Sequence, residues 1–131
     1  MDGESFGYKK LRIWQESRDL VVEIHRMTLS ALPKHEMYEE GSQIRRSMKS
    51  VKSNIVEGFG RRRHKVEYMR FLDFAYASAL ETIDHLENLF ETNSLHDEDL
   101  FHSHHERLNQ LSKAIYQFTR GVETHHNEER V

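Results

Sequence analysis

The 131-residue chain has no cysteine, a single proline and six glycines. Without thiols, a disulfide framework, thiolate zinc, iron–sulfur ligation and a cysteine nucleophile are all excluded. So little proline and glycine leaves too few turns for a sandwich or barrel of many short strands. Long apolar runs are missing too. None approaches the roughly 18 residues needed to span a bilayer, and the opening MDGESFGYKK has no apolar signal core. The expectation is one domain over residues 1–131, cytoplasmic and with no membrane partner.

What the sequence does contain is helical periodicity. It predicts four helices at about residues 8–32, 38–59, 65–92 and 97–122, with a His- and Glu-rich tail from Glu123 expected to fray. In the first, Leu11, Trp14, Val21, Ile24, Thr28 and Leu32 recur at helical steps, and Pro33 ends the segment. In the second, Ile44, Met48, Val51, Ile55 and Phe59 make an apolar seam, with Gly58 and Gly60 marking its end. The third is apolar nearly all round between Val66 and Leu80. That is more than one subunit of four helices easily covers, so a homo-oligomer is expected. Asp97 reads as an N-cap. Beyond it Phe101, His104, Leu108, Leu111, Ile115, Phe118 and Val122 approach a heptad seam. Short connections make neighbouring helices antiparallel. The predicted fold is all-α, an antiparallel up-down-up-down four-helix bundle.

The formal net charge of −3 conceals a strong asymmetry. Between Gln43 and Arg70 nine Lys/Arg face two acids, a block of +7, while the other residues hold ten bases and twenty acids, or −10. On a helical wheel, Arg45, Arg46, Lys49 and Lys52 share an arc of about 120° away from the seam of the second helix. Arg61, Arg62, Arg63 and Lys65 extend that strip through the following turn. Guanidinium forks suit phosphate, and a strip of this kind neutralises nucleic-acid backbone with little sequence preference. These eight residues are the candidate nucleic-acid contacts. Two other readings stay open. The strip pairs with acidic faces such as Glu81, Asp84, Glu87 and Glu91 of its own or a neighbouring subunit, or it is simply solvated.

The stretch QIRRSMKSVKSNIVEG (Gln43–Gly58), then Arg61 and EYMRFLDFAYASALE (Glu67–Glu81), resembles a bacterial family of four-helix bundles. Its members are often encoded in intervening sequences of 23S ribosomal RNA genes, and some carry the name S23 ribosomal protein. Leu11-x-x-Trp14 and Pro33-x-x-Glu36-x-Tyr38 fit the same pattern. The resemblance implies ring-shaped homo-pentamers, and a structural kinship with the accessory protein of diversity-generating retroelements, which binds nucleic acid and a reverse transcriptase through a basic surface. It singles out Arg45, Arg46 and Arg61. The chain departs from the pattern at Lys52, where proline is common, at Glu39-Glu40-Gly41-Ser42, and at Ala77-Ser78, where Gly-Ser is common.

Ten histidines raise the question of a metal. A bundle di-metal site needs two inward Glu-x-x-His pairs and two further carboxylates, whereas this sequence offers one pair, Glu123-x-x-His126. His104 falls on the apolar seam and reads as a core residue; His102 and His105 alone make a weak ligand pair. No nucleophile elbow and no phosphate loop are present. Trp14 reads as a core or interface anchor; Asn54 and Glu57, beside the seam, read as structural polar groups. The expectation is a non-enzymatic protein without metal or cofactor: a nucleic-acid binder, or else a protein–protein adaptor.

Overall fold

The computed structural model describes the backbone of residues 3–130 and the side chains of residues 7–125. Among these residues it contains four α-helices and no strand: α1 (Arg12–Ser30), α2 (Glu40–Gly60), α3 (Lys65–Glu91) and α4 (Glu98–Arg130). Short 3₁₀ turns precede α1 and α2, at Gly3–Lys10 and Lys34–Tyr38. Helix α1 packs on α2 and α4, and α3 packs on α2 and α4, with no diagonal contact. That is the ring order of an up-down-up-down bundle.

The second and fourth helices follow the expected seams. Ile44, Met48, Val51 and Ile55 are fully buried, as are Leu108, Leu111 and Ile115. Each such side chain contributes about 1.5–3 kcal/mol, so the core, not the surface charge, holds the bundle. Helix α1 departs from expectation. Its buried residues are Ile13, Ser17, Leu20, Ile24, Met27 and Thr28, a heptad-like seam that keeps the expected Ile24 and Thr28 but is otherwise offset from the one read in sequence. Ser17 disguises it: the hydroxyl is satisfied internally by donating to the Ile13 carbonyl at 2.6 Å, so a polar residue occupies a core position. Leu11, Trp14 and Val21 are only partly buried against this core, and Trp14 meets Tyr8 edge to face at 5.6 Å.

The contact between α2 and α3 is close because the facing residues are small. Ser47 and Ser50 lie against Thr82 and Ser78, Gly58 lies against Tyr68 and Phe71, and Ala75 and Ala79 on α3 are buried. A Cβ on Gly58 would stand 3.2 Å from the Phe71 Cβ. Gly58 therefore serves the close approach of two helices, and α2 continues to Gly60. Hydroxyls tie the crossing together: Thr82 Oγ1 donates to Ser47 Oγ at 2.8 Å, and Ser50 and Ser78 share a hydrogen at 2.8 Å. Asn54 adds its amide to the Ser50 carbonyl and hydroxyl. Glu57 instead pairs with Arg61 on its own helix.

One end of the bundle is closed by specific polar bonds. The Glu36 carboxylate, 8% exposed, accepts the Glu40 amide at the start of α2 and the Ser94 hydroxyl from the α3–α4 loop. Gly41 sits so near the Glu36 carbonyl that a side chain would collide with backbone. Helix α3 ends in a Schellman motif: Asn93 takes the left-handed conformation at φ 64°, while the Ser94 and Asn93 amides donate to the Leu89 and Phe90 carbonyls. Asp97 caps α4, its Oδ1 accepting the Leu100 amide at 3.0 Å.

Helix α4 runs to Arg130, about two turns beyond the expected stop at Val122. No glycine or proline stands between them, and Gly121 just before is tolerated in a helix at a cost of about 1 kcal/mol relative to alanine. The tail expected to fray, from Glu123 onward, is included in α4 as far as Arg130, and the side chains of residues 126–131 lie outside those described. His104 is buried as expected (3% exposed), with Nδ1 on the Leu100 carbonyl and Nε2 facing no partner. An orphaned buried nitrogen costs about 1–3 kcal/mol. His104→Leu should therefore raise stability by about 1 kcal/mol, measured by chemical denaturation at fixed protomer concentration. A fall of similar size would mean that Nε2 has a partner in solution.

Candidate nucleic-acid interface

The eight candidate cations divide into groups with different surroundings. Arg45 is half-buried. Its Nη1 donates to Thr28 Oγ1 at 2.9 Å, and its Nη2 to the Met37 carbonyl at 2.7 Å. The guanidinium thus ties α1, the 3₁₀ turn and α2 together at the closed end of the bundle. Arg61 is drawn into a surface cluster, 2.9 Å from Glu57 and 3.2 Å from Glu67, which also meets Arg70 at 3.5 Å. Arg61 lies over the Phe71 ring at 4.8 Å, and Arg70 over Phe74 at 5.4 Å. The two acids of the basic block are thereby both engaged, and such exposed pairs are worth about 0–1 kcal/mol.

Arg46, Lys49, Lys52 and Arg63 make no ion pair or hydrogen bond among the described residues. Arg46, Lys49 and Arg63 are exposed and Lys52 is half-buried. Arg46, Lys49 and Lys52 step along the outer face of α2 over about 9 Å of helix axis. Arg62 stacks on the Phe59 ring at 4.0 Å and donates to the Phe59 carbonyl at 3.0 Å. Lys65 is partly covered at the start of α3. Tyr68, buried behind this turn, has its hydroxyl pushed up to about 12 by burial, an effect the nearby Arg62 charge partly offsets.

Beyond Glu67, two further acids of α3 engage histidines and not the strip. Glu81 pairs with His85 at 3.2 Å, and His85 also bonds to Glu40. Glu87 pairs with His105 at 2.7 Å. His102 packs against Phe101. Among the described residues no group of three His, Asp or Glu side chains is arranged to hold a metal. No helix there is long and apolar enough to cross a membrane.

A basic strip on this bundle, with a buried Glu36 in the Pro33–Tyr38 turn, can be compared with known proteins. The family model of the 23S rRNA-intervening sequence protein matches residues 9–117. The chain belongs to that family. It is also similar to a solved protein of unknown function from the S23 ribosomal protein family of Bacteroides thetaiotaomicron. Their sequences are 20% identical, with a TM-score of 0.74, and the match covers 82% of this chain and 95% of that one. At that identity the likeness concerns the fold. No curated protein matches the sequence.

The sequence offered no direct signal for Arg45's bonds or for the carboxylate seal at Glu36; the family's Pro33-x-x-Glu36-x-Tyr38 pattern was the nearest hint. Because Arg45 satisfies a hydroxyl and a carbonyl across three elements, Arg45→Ala should lower unfolding stability by about 1.5–3 kcal/mol. Arg46→Ala should change it by less than about 0.5 kcal/mol. Thermal denaturation of both variants checks the contrast, and equal effects would contradict it.

Proposed function

We propose that this chain is a non-enzymatic, cytoplasmic, oligomeric bundle protein that binds the backbone of RNA or DNA through the outer face of α2 and the following turn. One observation carries the reading: among the described residues Arg46, Lys49, Lys52 and Arg63 stand unpaired on a bundle rich in acids, and while Glu67 of α3 pairs with Arg61 and Arg70, Glu81 and Glu87 engage histidines instead. A protein whose basic strip served only internal pairing would be expected to use those carboxylates. Arg61, Arg62 and Lys65 border the strip and Arg45 braces the helix that carries it. Few base-reading groups accompany these cations, so contact is led by phosphate.

Four open cations set the scale. Neutralising four phosphates gives a slope of log K against log salt of about −3 for a single strand, at roughly −0.7 per phosphate. Gel-shift or anisotropy titrations with mixed-sequence RNA measure it. The triple variant Arg46→Glu, Lys49→Glu, Lys52→Glu should abolish binding without altering the circular dichroism. Affinity indifferent to both salt and this variant would sink the reading.

Assembly is the second part of the proposal. On α3 Val66, Phe74 and Leu80 are 78%, 43% and 45% exposed, apolar surface that a monomer leaves in water. We infer that copies of the chain cover it, and the resemblance favours a pentameric ring. A ring would present the strip repeatedly and raise avidity. Light scattering should give a multiple of the 15.7 kDa chain mass, and Phe74→Glu with Leu80→Glu should shift it toward the monomer. A monomeric wild type would refute this part. The adaptor reading, with a protein such as a reverse transcriptase as partner, is favoured instead if the oligomer forms but shifts no RNA at low salt.

A further inference from the structure

At the open end of the bundle lies a cleft that a surface strip does not explain. Its volume is about 760 Å³, within the roughly 300–1,000 Å³ of small-molecule pockets. Distant parts of the chain make its walls: the α2–α3 turn supplies Arg62 and Arg63, while α4 supplies Gly121, Val122 and His125. Tyr68 and Phe118 form the floor, edge to face with centroids 6.2 Å apart.

Three features suit the cleft to a ligand that is anionic at one end and flat at the other. Arg62 is already stacked on Phe59 and hydrogen-bonded to its carbonyl, so little side-chain freedom is lost when it meets an oxyanion. The Tyr68 hydroxyl has no hydrogen-bond partner among the described residues, and with its titration pushed up to about 12 it remains a donor at neutral pH. Gly121 is the third. It lies inside a helix, its φ is not positive, and a Cβ there would meet nothing within 4 Å. Neither a turn nor close packing calls for glycine, which is a poor residue for a helix interior. Its effect is to leave the cleft wall bare.

We propose that this cleft is a nucleotide site, with the phosphate on Arg62 and Arg63 and the base against the Tyr68–Phe118 floor. A free mononucleotide and the phosphorylated terminal nucleotide of a strand present the same chemistry. The second source rests on the polyanion reading of the α2 strip; the first stands without it.

The full-length protein would be titrated with AMP, inorganic phosphate and phosphotyrosine by calorimetry. It would also be titrated with two short labelled RNAs that differ only in a 5′-phosphate or 5′-hydroxyl. AMP should bind at least about tenfold more tightly than phosphate or phosphotyrosine, a gap of about 1.4 kcal/mol, or the phosphorylated strand should be preferred by a similar factor. Gly121→Leu fills the wall with a better helix former. It should remove that binding and any end preference while the unfolding midpoint holds or rises. Arg63→Glu should weaken AMP in the same way and keeps the test sound if the leucine variant misfolds. Arg46→Glu with Lys49→Glu should leave AMP affinity unchanged even where strand binding is lost, which separates the cleft from the strip. AMP binding without an end preference assigns the free nucleotide; an end preference assigns the strand terminus. The proposal is overturned if neither appears, if phosphate or phosphotyrosine matches AMP, or if both cleft variants bind AMP like the wild type.

Discussion

The crossing of α2 and α3 sets the rest of the molecule. Small hydroxyl residues meet where the two helices cross, and a Cβ on Gly58 would press on the Phe71 Cβ and the Tyr68 ring. Ser47–Thr82 and Ser50–Ser78 hydrogen bonds then fix rotation as well as distance. An amphipathic helix alone tolerates some rolling about its axis, because the hydrophobic effect is not directional. Hydroxyl pairs at fixed register do not allow it. With α2 held in this rotation, Ile44, Met48, Val51 and Ile55 turn to the core, and Arg46 and Lys49 have only solvent to face. The charged face of α2 is thus a consequence of how its small face is bonded.

Most of the architecture was legible in the sequence because periodicity and breakers agree. The seams of α2 and α4 and the cap at Asp97 follow from short-range rules. The misread places have physical causes in common. In α1 the core position Ser17 is a polar residue that satisfies itself on the Ile13 carbonyl, so a hydrophobicity pattern passes over it. Gly58 looked like punctuation because glycine ends many helices, while its use here depends on a neighbour ten or more residues away in sequence. Arg45 and Arg46 are the same residue type and share one broad arc, although consecutive residues stand about 100° apart on a helix. What gives them different roles is the arrival of Thr28 and the Met37 carbonyl at Arg45. Long-range polar pairing is what local sequence rules cannot supply.

The partition of charge also gains meaning from these placements. The −10 remainder of the chain does not absorb the +7 block: Glu81 and Glu87 of α3 engage His85 and His105, and the block's own two acids engage Arg61 and Arg70. Cation–π contacts of Arg61, Arg62 and Arg70 with Phe71, Phe59 and Phe74 hold part of the basic surface in fixed positions. Pre-positioned guanidinium groups lose less entropy on meeting an anion than free lysines do. The block therefore combines mobile charge on α2 with ordered charge at the turn.

The two ends of the bundle are built for different purposes. At one end Glu36, Ser94, Gly41, Arg45 and the Schellman turn tie the chain together with satisfied polar groups, beside a polar cleft of about 520 Å³. At the other, α4 outruns the start of α3, a glycine stands where a larger residue would fit, and a tyrosine hydroxyl goes unbonded among the described residues. A bundle needs only its shared core to stay folded, since fully buried seams such as Leu72, Leu86, Leu108 and Leu111 run between the ends. Satisfied polar groups at one end secure the register of the turns. That security permits the opposite end to stay open at modest cost, and open, cation-lined space beside a rigid core is where a bundle can acquire a ligand without disturbing its fold.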